Sequence, residues 1–318
     1  MYRLKTRDEA IATVLNAVSQ IKHENNEVWN SNFSELKLYL ISTEKTGTTI
    51  LNDGFAFIHY LFPYLVEKNV LIDQLNEDNI AEIAAKMTQK PSSIKIMVSN
   101  ILAFVNWAKG RKKLQPLTTR YLAIRKGEVK SSVIEDRMTD EHVVLIINNL
   151  KDDEDKLAVM LMAKYGLRIS EALGVRLSDF EETPNGSILT IRYRPGEYGA
   201  KGPKAERRIP RAVLSKYGLI TDDDLALMKR LIINLAKKNG TSRRLIQKTK
   251  RTVQYNIEQA AKRAEIPFRI HAHLFRHHFV AQAVKKGVPI NVLSVITGDR
   301  PETLNKYYIW LSPETMLA

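Results

Sequence analysis

The chain contains no cysteine among its 318 residues. That absence excludes disulfides, thiolate nucleophiles, cysteine-ligated zinc and iron–sulfur clusters. No segment approaches the roughly 18 consecutive apolar residues of a membrane-spanning helix, and the opening "MYRLKTRDEA" has no apolar core of a secretory signal. No internal repeat or low-complexity tract stands out. What remains is 44% hydrophobic and 26% charged residues, the balance of a globular protein. The length suits two domains of ordinary size. These features lead us to expect a soluble cytoplasmic protein. Acidic residues are also in deficit, with 35 Asp and Glu against 49 Lys and Arg and a net charge of +14. Such an excess favours a polyanionic partner, nucleic acid first.

The positive charge is unevenly placed. Residues 101–130 carry Lys109, Arg111, Lys112 and Lys113 among other bases, and residues 241–270 carry Arg243, Arg244, Lys248, Lys250 and Arg251. These nine are the candidate DNA-binding residues, on the reading that two separated basic segments form two phosphate-facing surfaces. Solvated helix faces would give the same pattern.

Hydrophobic spacing predicts helices through the first 110 residues. "RDEAIATVLNAVSQIKH" repeats apolar positions at three and four, "NEDNIAEIAAKMTQ" opens on capping residues, and "PSSIKIMVSNILAFVNWAKG" ends in a glycine. Pro63 should mark a helix boundary or kink. A basic, aperiodic stretch follows. Thr139 then caps a new helix, "DEDKLAVMLMAKYGL" forms another, and "SILTIRYR" with "RRIPRAV" reads as a long-looped β-hairpin before further helices. The expectation is a mainly α, two-domain protein: an N-terminal helical domain over 1–115, a basic linker over 116–134, and an α-rich domain with a small β-hairpin or sheet over 135–318.

Four separated segments carry chemistry. In "KYGLRISEALGV", Arg168 follows a glycine turn and precedes a helix start, so its planar fork could meet a phosphate; pairing with Glu171 is the plainer alternative. The loop "PGEYGAKGPKAE" sets Lys201 and Lys204 among glycines, suited to deliver a proton into a groove. "HAHLFRHHF" holds four of the seven histidines, with His273 and Arg276 on one helix face. A zinc site through His271, His273 and His277 is the alternative reading there. "TGDRPETLNKYYIWL" places Tyr307 and Tyr308 near the end of the chain.

In this order, Arg, Lys, His-x-x-Arg and Tyr resemble the signature of the tyrosine recombinases, the integrase family of site-specific DNA recombinases. "YGLRISEAL" is similar to the family's first arginine motif, and "HLFRHHFVAQAVKKGVPINVLSVITG" to its histidine–arginine box with the helices after it. The resemblance covers residues 135–318, while the N-terminal domain fits the family's core-binding domain without motifs of its own. It implies strand cleavage through a 3′-phosphotyrosyl link and rejoining, with neither metal nor other cofactor. Arg168 and Arg276 would clamp the scissile phosphate, with Glu171 supporting Arg168. His273 would serve acid–base duty, Lys201 would protonate the leaving oxygen, and Tyr308 would be the nucleophile. Lys204 and Tyr307 remain alternatives for the last two roles. Where the family usually has His or Trp after a glycine, this chain has Asp299, whose carboxylate would repel a phosphate unless protonated or turned toward an arginine such as Arg300. His277 matches a frequent family histidine and should pack or support. The implied partner is a double-stranded recombination site bound by a homotetramer on two duplexes, with a monomer or dimer when free. The expected role is that of an integrase serving a mobile element (a virus, plasmid or transposon); a Xer-type chromosome or plasmid dimer resolvase, a catalytically inactive DNA-binding relative and a type IB topoisomerase-like enzyme are the alternatives.

Overall fold

In a computed structural model of the chain, residues 6–21, 27–118, 138–184 and 186–308 are described, apart from the side chains of Pro203 and Tyr307. Most of the basic stretch expected as a linker, and the residues after Tyr308, lie outside them. The chain divides into two units, residues 1–131 and 132–318.

The first unit is helical among its described residues. Thr6 and Glu9 form a reciprocal capping box that starts α1 (Arg7–Ser19). Helix α2 spans Glu27–Ser42, and α3 spans Gly47–Ala56. Gly54 lets α3 lie close on α1, because a Cβ there would come within 2.4 Å of the Val14 side chain. Pro63 shapes the next helical segment. It has no N–H to donate, and directly upstream the ladder widens to a single π turn over Phe57–Leu61, Phe62 N–H reaching the Phe57 carbonyl. Helix α4 (Phe62–Lys68) then carries the proline in its first turn, so the boundary expected there appears as a π turn rather than a break. After α5 (Glu77–Ala85), the long α6 (Pro91–Arg111) buries Ile94, Val98, Ile101, Leu102, Val105 and Ala108 at helical spacing. Tyr39, Phe57, Phe104 and Trp107 form an aromatic cluster within this core.

The second unit is built around one helix. After α7 (Asp140–Asn149), capped by Thr139 as its sequence predicts, comes α8 (Asp153–Lys164), in which Leu157 to Ala163 are all buried. A helix apolar on every side must be enclosed. Helix α9 (Ile169–Gly174) follows it. The sheet has three antiparallel strands in sequence order, β1 (Phe180–Thr183), β2 (Gly186–Ile191) and β3 (Arg207–Pro210), with Phe180 opposite Leu189 and Leu189 opposite Ile209. Strand β1, "FEET", has no apolar alternation to announce it; β2 supplies its backbone partners. Helices α10 (Arg211–Lys216), α11 (Asp222–Asn239), α12 (Lys250–Arg263), α13 (Ala272–Lys285), α14 (Ile290–Thr297) and α15 (Pro301–Tyr308) complete the unit. Helices α11 and α13 pack against α8. Among the described residues, no helix is long and apolar enough to cross a membrane.

Candidate active site

Local backbone geometry prepares the two arginines. Gly166 (φ +65°) turns the chain after α8 in a conformation that favours glycine, and a Cβ there would strike the Phe279 ring. The turn presents the Gly166 carbonyl to Arg276 Nη1 at 2.5 Å. Arg168 caps α9: its N–H donates to Glu171 Oε2 (2.9 Å) and its Nη1 to Glu171 Oε1 (3.0 Å). Arg276 lies on α13 with only 2% of its surface exposed, and its Nη2 donates to the Thr297 carbonyl at 2.8 Å. Burial, and then the nearby Arg168, disfavour the Arg276 charge. Counter-charges must offset that cost.

One of them is Glu171, whose own site is almost completely buried. Arg207 on β3 donates Nη1 to Glu171 Oε1 (3.0 Å) and Nη2 to Oε2 (2.7 Å), and its Nε donates to the Ile296 carbonyl (2.7 Å). Arg276 Nη1 is 3.9 Å from the same carboxylate. Burial would raise the Glu171 carboxyl, but hydrogen bonds and charge from Arg207 and Arg168 outweigh it and hold the group below its ordinary range. Arg207 was not among the residues anticipated from sequence. A signal existed: it shares a strand face with the buried Ile209, two positions on, so an arginine there points inward.

The other counter-charge is Asp299. Gly298 ends α14 in the left-handed conformation (φ +67°), and the next residue turns back into the cluster. Asp299 N–H donates to Thr297 Oγ1 (3.2 Å), and Ser294 Oγ donates to the Asp299 carbonyl (2.6 Å). Its Oδ1 then accepts from Arg168 Nη2 and its Oδ2 from Arg276 Nη2, each at 2.5 Å. Of the two arrangements the sequence left open, the carboxylate is turned toward arginines, but toward Arg168 and Arg276 rather than Arg300, which is exposed.

His273 and His277 stand one turn apart on α13, ring centroids 4.3 Å apart and nearly perpendicular. The Tyr308 hydroxyl, on α15, is hydrogen-bonded to Nδ1 of His277, and Tyr308 is only 5% exposed. Burial, then the neighbouring His273 and His271, push His277 down to about 4. Burial and Arg276 also lower His273. Arg168, Glu171, Arg276, Asp299, His273, His277 and Tyr308 are thus brought together. Lys201 and Lys204 are both exposed on the loop between β2 and β3 and, among the described residues, neither hydrogen-bonds to this cluster. No group of three or more His, Asp or Glu among the described residues is placed to hold a metal.

The basic candidates divide in two. Lys109 is buried and donates to the Asp73 carbonyl (2.8 Å), Lys112 pairs with the Asp73 carboxylate (2.7 Å), and Arg111 pairs with Glu35 (3.0 Å). Arg244 lies over the Tyr198 ring at 5.0 Å and donates to the Leu173 carbonyl, and Lys248 pairs with Asp155 (2.6 Å) and Asp152 (3.2 Å). Lys109 therefore faces the interior of its domain. Lys113, Arg243, Lys250 and Arg251 are exposed.

Two guanidiniums converging on two oxygens form a fork for one oxyanion, and Asp299 occupies it. Replacing Asp299 by Asn keeps the shape and removes the competing charge. Asp299→Asn is expected to bind inorganic phosphate roughly tenfold more tightly, since a charged hydrogen-bonded competitor is worth more than one factor of ten. A phosphate titration of thermal stability measures it; equal affinities in the two proteins would show that the carboxylate and the anion do not share a seat.

Comparison with known proteins identifies the family. Residues 136–312, more than half of the chain, match the phage integrase family. A tyrosine recombinase of Thermosipho africanus is 26% identical over 184 residues, which cover 57% of this chain and 59% of that protein. Tyrosine recombinase XerH of Campylobacter jejuni is 24% identical over 275 residues, covering 80% and 73%. Against the first of these relatives the matched region thus spans less than two thirds of its length. In fold, the chain is similar to XerH site-specific recombinase bound to difH substrate in a post-cleavage complex, with a TM-score of 0.63 at 14% identity over 95% of this chain and 93% of that one. It is also similar to a lambda integrase dimer bound to a core site, with a TM-score of 0.59 at 18% identity over 86% and 94%. On the family match and on the resemblance of its motifs, the chain belongs to the phage integrase family, the tyrosine recombinases.

Proposed function

We propose that this protein cuts and rejoins double-stranded DNA at a defined site, with Tyr308 as the nucleophile. The observation that carries the reading is the convergence of Arg168 and Arg276 on one carboxylate, with the Tyr308 hydroxyl held by the residue next to Arg276. A scissile phosphate would displace Asp299 and present two non-bridging oxygens to the same fork. Charge that grows on those oxygens during transfer is stabilised by donors already in place. The Tyr308 oxygen attacks phosphorus and the 5′-oxygen leaves, taking a proton from Lys201, with Lys204 the alternative on the same loop. A 5′-hydroxyl from a partner duplex reverses the reaction, so bond energy is conserved. Of the nine basic candidates, Lys113, Arg243, Lys250 and Arg251 are exposed and would meet DNA backbone. Assembly of four protomers on two duplexes belongs to the same proposal, and a structure of similar fold is a lambda integrase tetramer bound to a Holliday junction.

The biological role we propose is integration or excision of a mobile element, a reading supported by the lack of a clear Xer-like sequence pattern in the N-terminal half. Chromosome-dimer resolution is the second reading, favoured by the XerH similarity across most of the chain. Incubation with labelled duplexes, nicked beside candidate cleavage positions, tests both. A denaturant-stable adduct on the junctions flanking this protein's own gene supports an integrase; one formed only on the host's dimer-resolution site supports a resolvase. Tight binding with no adduct on either would leave a DNA-binding relative without strand transfer.

A further inference from the structure

A tyrosine hydroxyl with an ordinary pKa near 10 is a poor nucleophile until a base takes its proton. The family resemblance points to His273 for acid–base duty, yet the hydroxyl of Tyr308 is hydrogen-bonded to Nδ1 of His277. His273 instead sets its ring edge-on against that of His277. Resting on the recombinase reading above, we propose that His277 is the residue that accepts the Tyr308 proton during DNA cleavage, and that His273 orients it and faces the phosphate.

The geometry separates the two histidines by one helical turn. His277 follows Arg276 directly, so the residue that holds the phosphate and the residue that holds the nucleophile share a rigid segment of α13. The groups that face His277 are His273 and His271 from its own helix and cap, Arg276 beside it, Asp299 from the loop after α14, and Tyr308 from α15. Burial first, and then His273, His271 and Arg276, disfavour a proton on it, while Asp299 favours one. His277 is therefore neutral at physiological pH, with its Nδ1 lone pair available when Nε2 carries the hydrogen. A phosphoryl group in transfer adds negative charge next to the imidazole, which offsets the cost of protonating it at the moment the proton moves. The step balances. The Tyr308 Oη–phosphorus bond forms, the phosphorus–O5′ bond breaks, the phenol proton passes to His277 Nδ1, and the 5′-oxygen takes its proton from the lysine of the β2–β3 loop. Rejoining reverses each transfer, and His277 returns its proton to the departing phenolate.

The test is single-turnover cleavage by the full chain of a nicked junction duplex carrying either oxygen or sulfur at the bridging 5′ position. A thiolate leaves without needing a proton, so sulfur rescues loss of the acid but not loss of the base. His277→Ala is expected to cleave about 100-fold or more slowly on both substrates, within the range for losing a positioned base. Lys201→Ala or Lys204→Ala, whichever removes the acid, is slow with oxygen and recovers with sulfur. His277→Asn keeps a hydrogen-bonding group beside the phenol without a basic nitrogen. It should fold and bind DNA as wild type does yet show the same loss, and it carries the test if the alanine variant fails to fold. Cleavage within threefold of wild type in His277→Asn, or rescue of that variant by sulfur, overturns the inference. So does faster cleavage, which would make the contact a resting-state lock. Wild-type protein that forms no adduct on any junction removes the recombinase reading itself and this inference with it.

Discussion

Tyr308→Phe abolishes the covalent DNA adduct, and Tyr307→Phe leaves it intact: this is the expected outcome of trapping with the nicked duplexes. Neighbouring positions on a helix point about 100° apart, so at most one of the two tyrosines can face the arginine fork. Tyr308 lies on the inner side of α15, nearly buried, with its ring 6.1 Å from that of His277 and its hydroxyl on His277 Nδ1. The Tyr307 side chain lies outside the described residues. Removing one hydroxyl costs about 1 kcal/mol of stability, so Tyr308→Phe should fold, bind DNA, and lose only the bond it can no longer make. Denaturing electrophoresis of both variants reads the result. An adduct retained in Tyr308→Phe and lost in Tyr307→Phe would move the nucleophile by one residue and make the His277 contact a packing interaction.

The largest expected effect on folding belongs to Glu171. Its carboxylate takes two hydrogen bonds from Arg207, one from the Arg168 guanidinium and one from the Arg168 backbone, with Arg276 at 3.9 Å. In Glu171→Ala, Arg207 and Arg276 remain buried with their common counter-charge gone. Breaking a buried ionic cluster on one side costs about 3–5 kcal/mol, to be read in the denaturant unfolding of the second unit within the full chain. Glu171→Gln keeps the volume and one acceptor and should lose less. Acid gives the same information without mutation. Because the folded carboxyl is held below the ordinary value of 4.5, its contribution is fully present above that pH. It is lost as pH falls through the folded value. Stability that is flat from pH 5 to pH 3 in wild type, and no different in Glu171→Gln, would show that the cluster contributes nothing.

Much of this site is written in short segments. The glycine before Arg168, the i, i+3 spacing of His273 and Arg276, and the distance from Gly298 to Tyr308 are local patterns, and each matches a family motif. The helices around them were legible for the same reason: Thr139 caps α7, and the apolar run of α8 must be enclosed. Strand β1 was not legible, because "FEET" has neither alternation nor bulk and is held by the edge that β2 offers. The π turn at Phe57–Leu61 escaped as well, since the missing proline donor can be met by a break, a kink or a widened turn, and packing chooses among them.

Sequence alone determined which chemical groups are available and in what order: two arginines, a lysine loop, paired histidines, a tyrosine, and an aspartate where the family usually keeps a neutral ring. Tertiary structure decided which of them meet. Arg168 and Asp299 are 131 positions apart, and only the packing around α8 sets their side chains at 2.5 Å. The same packing made Arg207 the second partner of Glu171 and put the Tyr308 hydroxyl on His277, while in the first unit separate packing turned Lys109 inward onto the Asp73 carbonyl. Charge and spacing are properties of neighbours in the chain. Whether a charge is spent on a buried partner or left for a ligand depends on which distant surfaces close over it.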